Sequence, residues 1–269
     1  MPSVESSRFH YHRLRHELTN YSLLRARHWD GGIISMHQSG THWLKFMLAS
    51  AIAEHFDIPP PEYNHANDII GGPKDPRRYP QIPLLKSSHS IAPLIMRNAF
   101  VLRRTKLPPV VLLVRDIRVS LVSNYTKWQQ RYAVSFSEYL RGDPSGRRFN
   151  SDIWWCFRFL NAWGRLAGLT GELVHVVHYE NLTTSPEAEL EQAARHLGLA
   201  LTSATVEKGV AAATKSAMAG RSDPARPPGE INRGDGAPMA KYSDADRAFV
   251  RSRCERYLRS AFGYDYAAW

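Results

Sequence analysis

The stretch Asp30-Gly31-Gly32-Ile33-Ile34-Ser35-Met36-His37-Gln38-Ser39-Gly40-Thr41-His42-Trp43-Leu44 changes its hydropathy pattern twice within a few residues. Ile33 to Met36 reads as a short apolar strand and His37 to Gly40 as a polar turn. From Trp43 to Phe56 the apolar residues Leu44, Met47, Leu48 and Ile52 recur at helical spacing, which makes the segment strand, tight loop, helix. Free backbone N–H groups and the positive end of the helix dipole at such a junction favour an anion, above all a phosphate. Gly40 would permit close backbone approach, and the Ser39 and Thr41 hydroxyls would add donors. A plain polar turn capping a helix fits the same residues.

Working outward, Leu84-Leu85-Lys86-Ser87-Ser88, Val110 to Val114 and Leu173 to Tyr179 supply three more short strands. Helical patterns fall at about 118–128, 150–168, 186–197, 202–217 and 243–260. The expected fold is therefore a single α/β domain, its central, mostly parallel sheet flanked by helices and opened by a P-loop-like strand-loop-helix. Residues 57–82 are a long excursion rich in Pro and Gly, and a mobile loop is expected at about 219–240, where periodicity is lost. Residues 1–30 read as a basic N-terminal helical segment, with Leu14, Leu18, Tyr21 and Leu24 at helical spacing among Arg13, Arg15, Arg25 and Arg27. Such a helix either packs on the domain of residues 31–269 or docks on acidic lipid headgroups.

The chain has 269 residues, 43% of them hydrophobic, and 35 Lys and Arg against 25 Asp and Glu give a net charge of +10. An acidic disordered chain is excluded and anionic partners are favoured. The basic residues are dispersed and no nucleic-acid module is recognisable, so nucleic acid is not an expected partner. Cys156 and Cys254 are the only cysteines, which leaves no disulfide framework and no zinc site. No apolar run approaches the roughly 20 residues of a membrane span, and the N-terminus lacks a signal-peptide core. The expectation is a soluble, cytoplasmic protein.

A nucleoside triphosphatase would place Lys after the last loop glycine, whereas Gly40 is followed by Thr41 and His42, and no Asp closes a neighbouring strand as a magnesium ligand. Ordinary phosphoryl transfer is thereby weakened. Arg115 closes the third strand, and Arg118, Ser120 and Ser123 follow on the next helix. A guanidinium at a strand end with a hydroxyl two turns on can grip a second phosphate.

Read together, these pieces resemble the sulfotransferases that use 3′-phosphoadenosine 5′-phosphosulfate (PAPS). Ser39 to Leu44 is similar to their 5′-phosphosulfate loop PKSGTTWL, and Arg115 to Ser123 to their 3′-phosphate segment RNPxDxxxS. Val176 to Leu182 with Ser185-Pro186 and His196 to Leu199 resembles YExL…P…FLGL, and Ile231 to Gly236 resembles the late RKGxxGxW loop. The resemblance implies that Gln38, Ser39, Gly40, Thr41 and His42 surround the phosphosulfate and that Arg115 and Ser123 bind the 3′-phosphate. It further implies Trp43 stacked on adenine, Tyr179 lining the base pocket, and Arg233 and Gly234 closing over the 3′-phosphate. PAPS would be the donor and adenosine 3′,5′-bisphosphate (PAP) the product, with no metal required.

Two departures bear on the chemistry. Gln38 stands where the family has a loop Lys, and a neutral amide cannot neutralise charge on a leaving phosphate. His42, Lys45 and Lys86 are the candidate replacements. His89 in Lys86-Ser87-Ser88-His89 corresponds to the family's K-T-H histidine and is the expected general base. The candidate catalytic set is thus His89, His42 and Gln38. The acceptor would be a hydroxyl, or less favourably an amine, on a small molecule, lipid or glycan, and a homodimer is compatible with the resemblance. A catalytically silent nucleotide-binding relative and a P-loop kinase are the competing readings. Trp154, Trp155, Phe157, Phe159 and Trp163 would either line an acceptor pocket or form helix core.

Overall fold

A computed structural model of the chain describes residues 4–20, 26–225 and 237–269. Its centre is a sheet of four parallel strands in the order β2-β1-β3-β4. These are β1 (Gly31–Ser35), β2 (Leu85–Ser88), β3 (Val110–Val114) and β4 (Val174–His178). Every residue of β3 is buried. Val110, Leu112 and Val114 enter one core and Val111 and Leu113 the other, so a continuously apolar strand is what a sheet covered on both faces requires. Pairing of Ile33 with Val111 and of Val111 with His175 aligns the carboxyl ends of β1, β3 and β4.

Helix α1 (Val4–Leu18) precedes the sheet, α2 (Thr41–His55) follows β1, and α3 (Ala99–Arg104) leads into β3. After β3 come α4 (Ile117–Tyr132), α5 (Phe136–Arg141) and α6 (Ile153–Thr170), and β4 runs into α7 (Tyr179–Thr184) and α8 (Pro186–His196). The chain then forms α9 (Ser203–Ala212), α10 (Lys215–Ala219) and α11 (Asp244–Tyr257). The single helix expected over 202–217 is two, because Thr214 turns extended and its hydroxyl accepts from the Ala217 N–H, starting a new helix. Helices α2, α8 and α9 share a core with Ile33, Val111 and Leu113. α2 and α9 approach so closely that a Cβ at Gly209 would lie 2.7 Å from the Met47 carbonyl oxygen.

The opposite core holds Trp154, Phe157, Phe159 and Trp163 of α6, all fully buried, where each large apolar side chain contributes about 1.5–3 kcal/mol. The core reading of the aromatic run therefore holds for these four, and Trp155, half-buried, packs against the edge of the same core. α1 corrects a second expectation. Its inward face carries Phe9 and Glu17, 1% and 5% exposed, while Tyr11, Leu14 and Leu18 are 63%, 49% and 57% exposed. The leucines read as the packing stripe thus face water. Phe9, set against Trp154 and Tyr257, is the actual anchor. No helix among the described residues is long and apolar enough to cross a membrane.

Candidate functional site

The loop after β1 is built from two left-handed residues, Gln38 at φ 60° and Gly40 at φ 87°. Gly40 is required twice, by that φ and because a Cβ there would lie 2.7 Å from the Tyr179 ring. Gln38 takes up the same region against the steric preference of a side-chain-bearing residue. Its carbonyl is held at 2.8 Å by Arg115 Nη1. The Ser39 hydroxyl, expected to donate to a ligand, is fully buried and donates instead to the Met36 carbonyl at 2.7 Å. It holds the turn, which leaves ligand donation at residue 39 to the backbone N–H. Thr41 Oγ1 likewise donates to Ser35 Oγ at 2.8 Å.

Arg115 joins the loop to the third strand. Its guanidinium stacks on the Tyr179 ring at 4.0 Å and lies 3.5 Å from Ser123 Oγ. Burial lowers its pKa, its neighbour Asp116 is spent on Arg118 at 2.7 Å, and Arg115 Nε is buried without a hydrogen-bond partner. A buried cation with an unspent donor and no ion pair among the described residues is costly unless an anion completes it. Trp43 is half-buried, donates its indole N–H to the Ala213 carbonyl at 3.0 Å and meets Tyr179 edge-on at 6.3 Å. Two aromatic faces and a guanidinium therefore surround one side of the loop. These residues fit an adenylate with two anionic groups.

On the other side, at the end of β2, the ring of His89 is open to water. Its Nδ1 lies 2.8 Å from the Ser35 carbonyl oxygen. A carbonyl only accepts, so Nδ1 carries the proton and Nε2 keeps its lone pair. Surrounding protein lowers the His89 pKa, and Lys45 and Lys127 add repulsion. His37 stacks on His89 at 4.1 Å and touches Trp155 at 4.5 Å. Its pKa is lowered to about 3, by burial first and then by His89 and Lys127. His42 is lowered to about 4 by the protein mass around it and by Lys45 and Lys127, a shift that water at its exposed ring weakens. All three imidazoles are neutral at pH 7.

The structure brings together Gln38, Ser39, Gly40, Thr41, His42, Trp43, Arg115, Ser123, Tyr179 and His89 at the carboxyl edge of the sheet, where open α/β sheets bind ligands. Arg233, Gly234 and most of the loop expected at about 219–240 lie outside the described residues.

A family model described as a sulfotransferase domain matches residues 30–226. The chain belongs to the sulfotransferase family. No curated protein sequence matches it significantly. Among solved structures, a mouse sulfotransferase, SULT7A1, complexed with PAP is 14% identical with a TM-score of 0.60, covering 90% of each chain. Retinol dehydratase in complex with androsterone and inactive cofactor PAP gives 13% identity and a TM-score of 0.58, over 87% of this chain and 82% of that one. The same enzyme with retinol and PAP gives 12% and 0.58, over 88% and 83%. At such identities the likeness shows that this sulfotransferase domain shares their fold.

Three residues packed around the candidate site residues escaped the sequence reading. His37 had registered only as part of the polar turn, Trp155 only as one of an aromatic run, and Ser35 only as strand. Helical spacing does not set Trp155 apart, since it stacks on Phe159 one turn along α6 and shares its side of the helix with the buried Ala162 and Leu166.

Proposed function

We propose that this sulfotransferase moves a sulfuryl group from PAPS to a hydroxyl, or less favourably an amine, of a small-molecule, lipid or glycan acceptor, releasing PAP. The observation that carries the reading is Arg115, a half-buried guanidinium with a buried, unbonded Nε and no carboxylate ion pair among the described residues, bonded to the Gln38 carbonyl and stacked on Tyr179. Bound PAPS supplies an activated sulfuryl group on a phosphate leaving group. Arg115 and Ser123 hold the 3′-phosphate, Trp43 and Tyr179 the adenine, and the N–H groups from Gln38 to His42 the 5′ end. Gln38 and Gly40, both left-handed, turn successive N–H groups to one side of the loop, the arrangement that cradles anions.

His89 is the base. Its Nδ1–H is fixed on the Ser35 carbonyl, so Nε2 receives the proton of the acceptor as its oxygen attacks sulfur. The lowered pKa keeps this nitrogen unprotonated at neutral pH. Trp155 and His37 form an aromatic wall beside it, suited to an acceptor with an apolar body. Androsterone and retinol, which the retinol dehydratase structures carry beside PAP, are apolar alcohols. Alignment and charge stabilisation account for the rate, as in phosphoryl transfer.

Two further parts belong to this reading. Cys156 and Cys254 are buried and unpaired, in keeping with a reducing, cytoplasmic setting. The outward face of α1 sets Tyr11, Leu14 and Leu18 among exposed Arg8 and Arg15, which suits peripheral contact with an acidic membrane surface.

Calorimetry with PAP tests the donor half. The wild type is expected to bind saturably and Arg115→Ala to lose at least about a hundredfold in affinity, as for a charge-assisted bond removed from a buried site. Absence of heat with the wild type sinks the assignment. Transfer of radiolabelled sulfate from PAPS to any acceptor separates an active enzyme from a silent relative.

A further inference from the structure

Sulfuryl transfer leaves negative charge on the bridging oxygen and on the departing phosphate, and a cation aimed there is the largest single contribution a protein can make. The loop itself has none to offer. Gln38 is neutral, and His37 and His42 are held neutral at pH 7 by their surroundings. Of the nearby lysines, Lys45 is buried with Nζ 2.8 Å from Asn67 Oδ1 and Lys86 donates to the Asp75 carbonyl at 2.5 Å, contacts to neutral groups that hold each ammonium in place without cancelling its charge. Arg115 faces the adenine side, on Tyr179.

One cation remains. Helix α4 is fixed about its axis by Asn124, whose buried amide donates to Tyr139 OH at 2.9 Å and to the Ser151 carbonyl at 2.8 Å. That orientation points Ser123 at Arg115, 3.5 Å away. Lys127 stands four residues, about one turn, further along the same face. Its side chain is exposed, with no hydrogen bond or ion pair recorded for it among the described residues, and its ammonium lies 5.5 Å from the centre of the Trp128 ring. Its charge opposes protonation of His37, His42 and His89, as that of Lys45 does for His42 and His89.

We infer that Lys127, projecting from the face of α4 that also carries Ser123, is the cation for the transferring sulfuryl group, in place of the positive charge absent from position 38. The inference rests on the PAPS reading and deepens it. Atoms balance as follows: the acceptor oxygen forms the new S–O bond, the bond from sulfur to the bridging phosphate oxygen breaks, and the acceptor proton goes to His89 Nε2. Lys127 exchanges no proton and offsets charge on the sulfuryl and bridging oxygens.

PAP and PAPS differ only in the sulfuryl group, so their affinity ratio isolates the contact without knowledge of the acceptor. In titrations of the wild type, Lys127→Met and Lys127→Arg with each nucleotide, Lys127→Met is expected to weaken PAPS by about ten- to a hundredfold, the scale of one charge-assisted hydrogen bond. PAP affinity should stay within about twofold, which also reports that the variant is folded, and Lys127→Arg should retain most PAPS affinity. Equal weakening of both nucleotides, or of neither, overturns the role of Lys127 while leaving the donor site intact. Failure of the wild type to bind PAP would overturn the donor reading, and this assignment with it.

Discussion

At the scale of single residues, the site depends on backbone geometry as much as on side chains. Ser39 and Thr41 looked from the sequence like hydroxyl donors, but both hydroxyls are used inside the protein, on the Met36 carbonyl and on Ser35 Oγ. What they hold in place is the turn itself, through Met36 and Ser35. Gly40 is the residue on which that turn is most sensitive. Alanine there would meet the Tyr179 ring at 2.7 Å and sit at a φ of 87°. Relief of the clash must move Tyr179, and Arg115 stacks on that ring. Gly40→Ala is therefore expected to cost about 1–2 kcal/mol of stability from the backbone alone and, separately, more than about tenfold in PAP affinity through the displaced Tyr179 and Arg115 pair. Thermal unfolding and calorimetry on one preparation read the two effects. A variant that binds PAP as the wild type does would show that Tyr179 is not part of the nucleotide site.

At the scale of elements, strands were legible where their composition left no alternative. Val110 to Val114 has no polar residue, and its strand has the expected bounds. Gly31 and Gly32 also belong to β1, ahead of the expected start at Ile33, and the space at Gly31 is filled by Leu85 and Leu197. Helix faces were less legible, since apolar spacing gives a stripe but not the side that meets the protein. Lys127 is the functional case: only the buried amide of Asn124, invisible in the sequence, shows which face of α4 looks toward the loop. α1 is the structural case, with Leu14 and Leu18 turned outward. An apolar stripe flanked by Arg8 and Arg15, on a chain of net charge +10, is suited to acidic headgroups. The expected outcome is cosedimentation with vesicles containing phosphatidylglycerol, several-fold less with neutral phosphatidylcholine vesicles, and loss of binding in Leu14→Glu/Leu18→Glu. Equal binding of that variant excludes this face, and a dimer in light scattering that the same substitutions dissolve assigns it to a second copy instead.

At the scale of the molecule, a site made of neutral imidazoles in a basic protein must show in stability against pH. His37 titrates at about 3 and His42 at about 4 in the fold, and His89 is lowered too, whereas an unfolded histidine titrates near 6.5. Below pH 6.5 the unfolded chain therefore binds protons that the native state refuses, and stability is lost as pH falls. Asp152 acts in the opposite sense. It is fully buried at the start of α6, and desolvation raises its pKa to about 6, so the native state keeps a proton that the unfolded chain releases near 3.8. Its contribution grows as pH falls through 6. The lowered histidines, His175 among them, and the lowered carboxyls Asp143 and Asp246 together outweigh Asp152, and with positive charge accumulating on a chain already at +10 the net sign is destabilising. The melting temperature should fall by on the order of several °C between pH 6.5 and 4.5. His37→Gln removes one of the refused protons and should flatten the fall, and Asp152→Asn, which keeps an acceptor for the Trp155 N–H, should steepen it. A melting curve that is level across that interval, or the same slope in His37→Gln as in the wild type, would mean that His37 is protonated in the native state. It would then carry a cation of its own beside His89, and the case for Lys127 as the sole supplier of positive charge to the sulfuryl group would lose its premise.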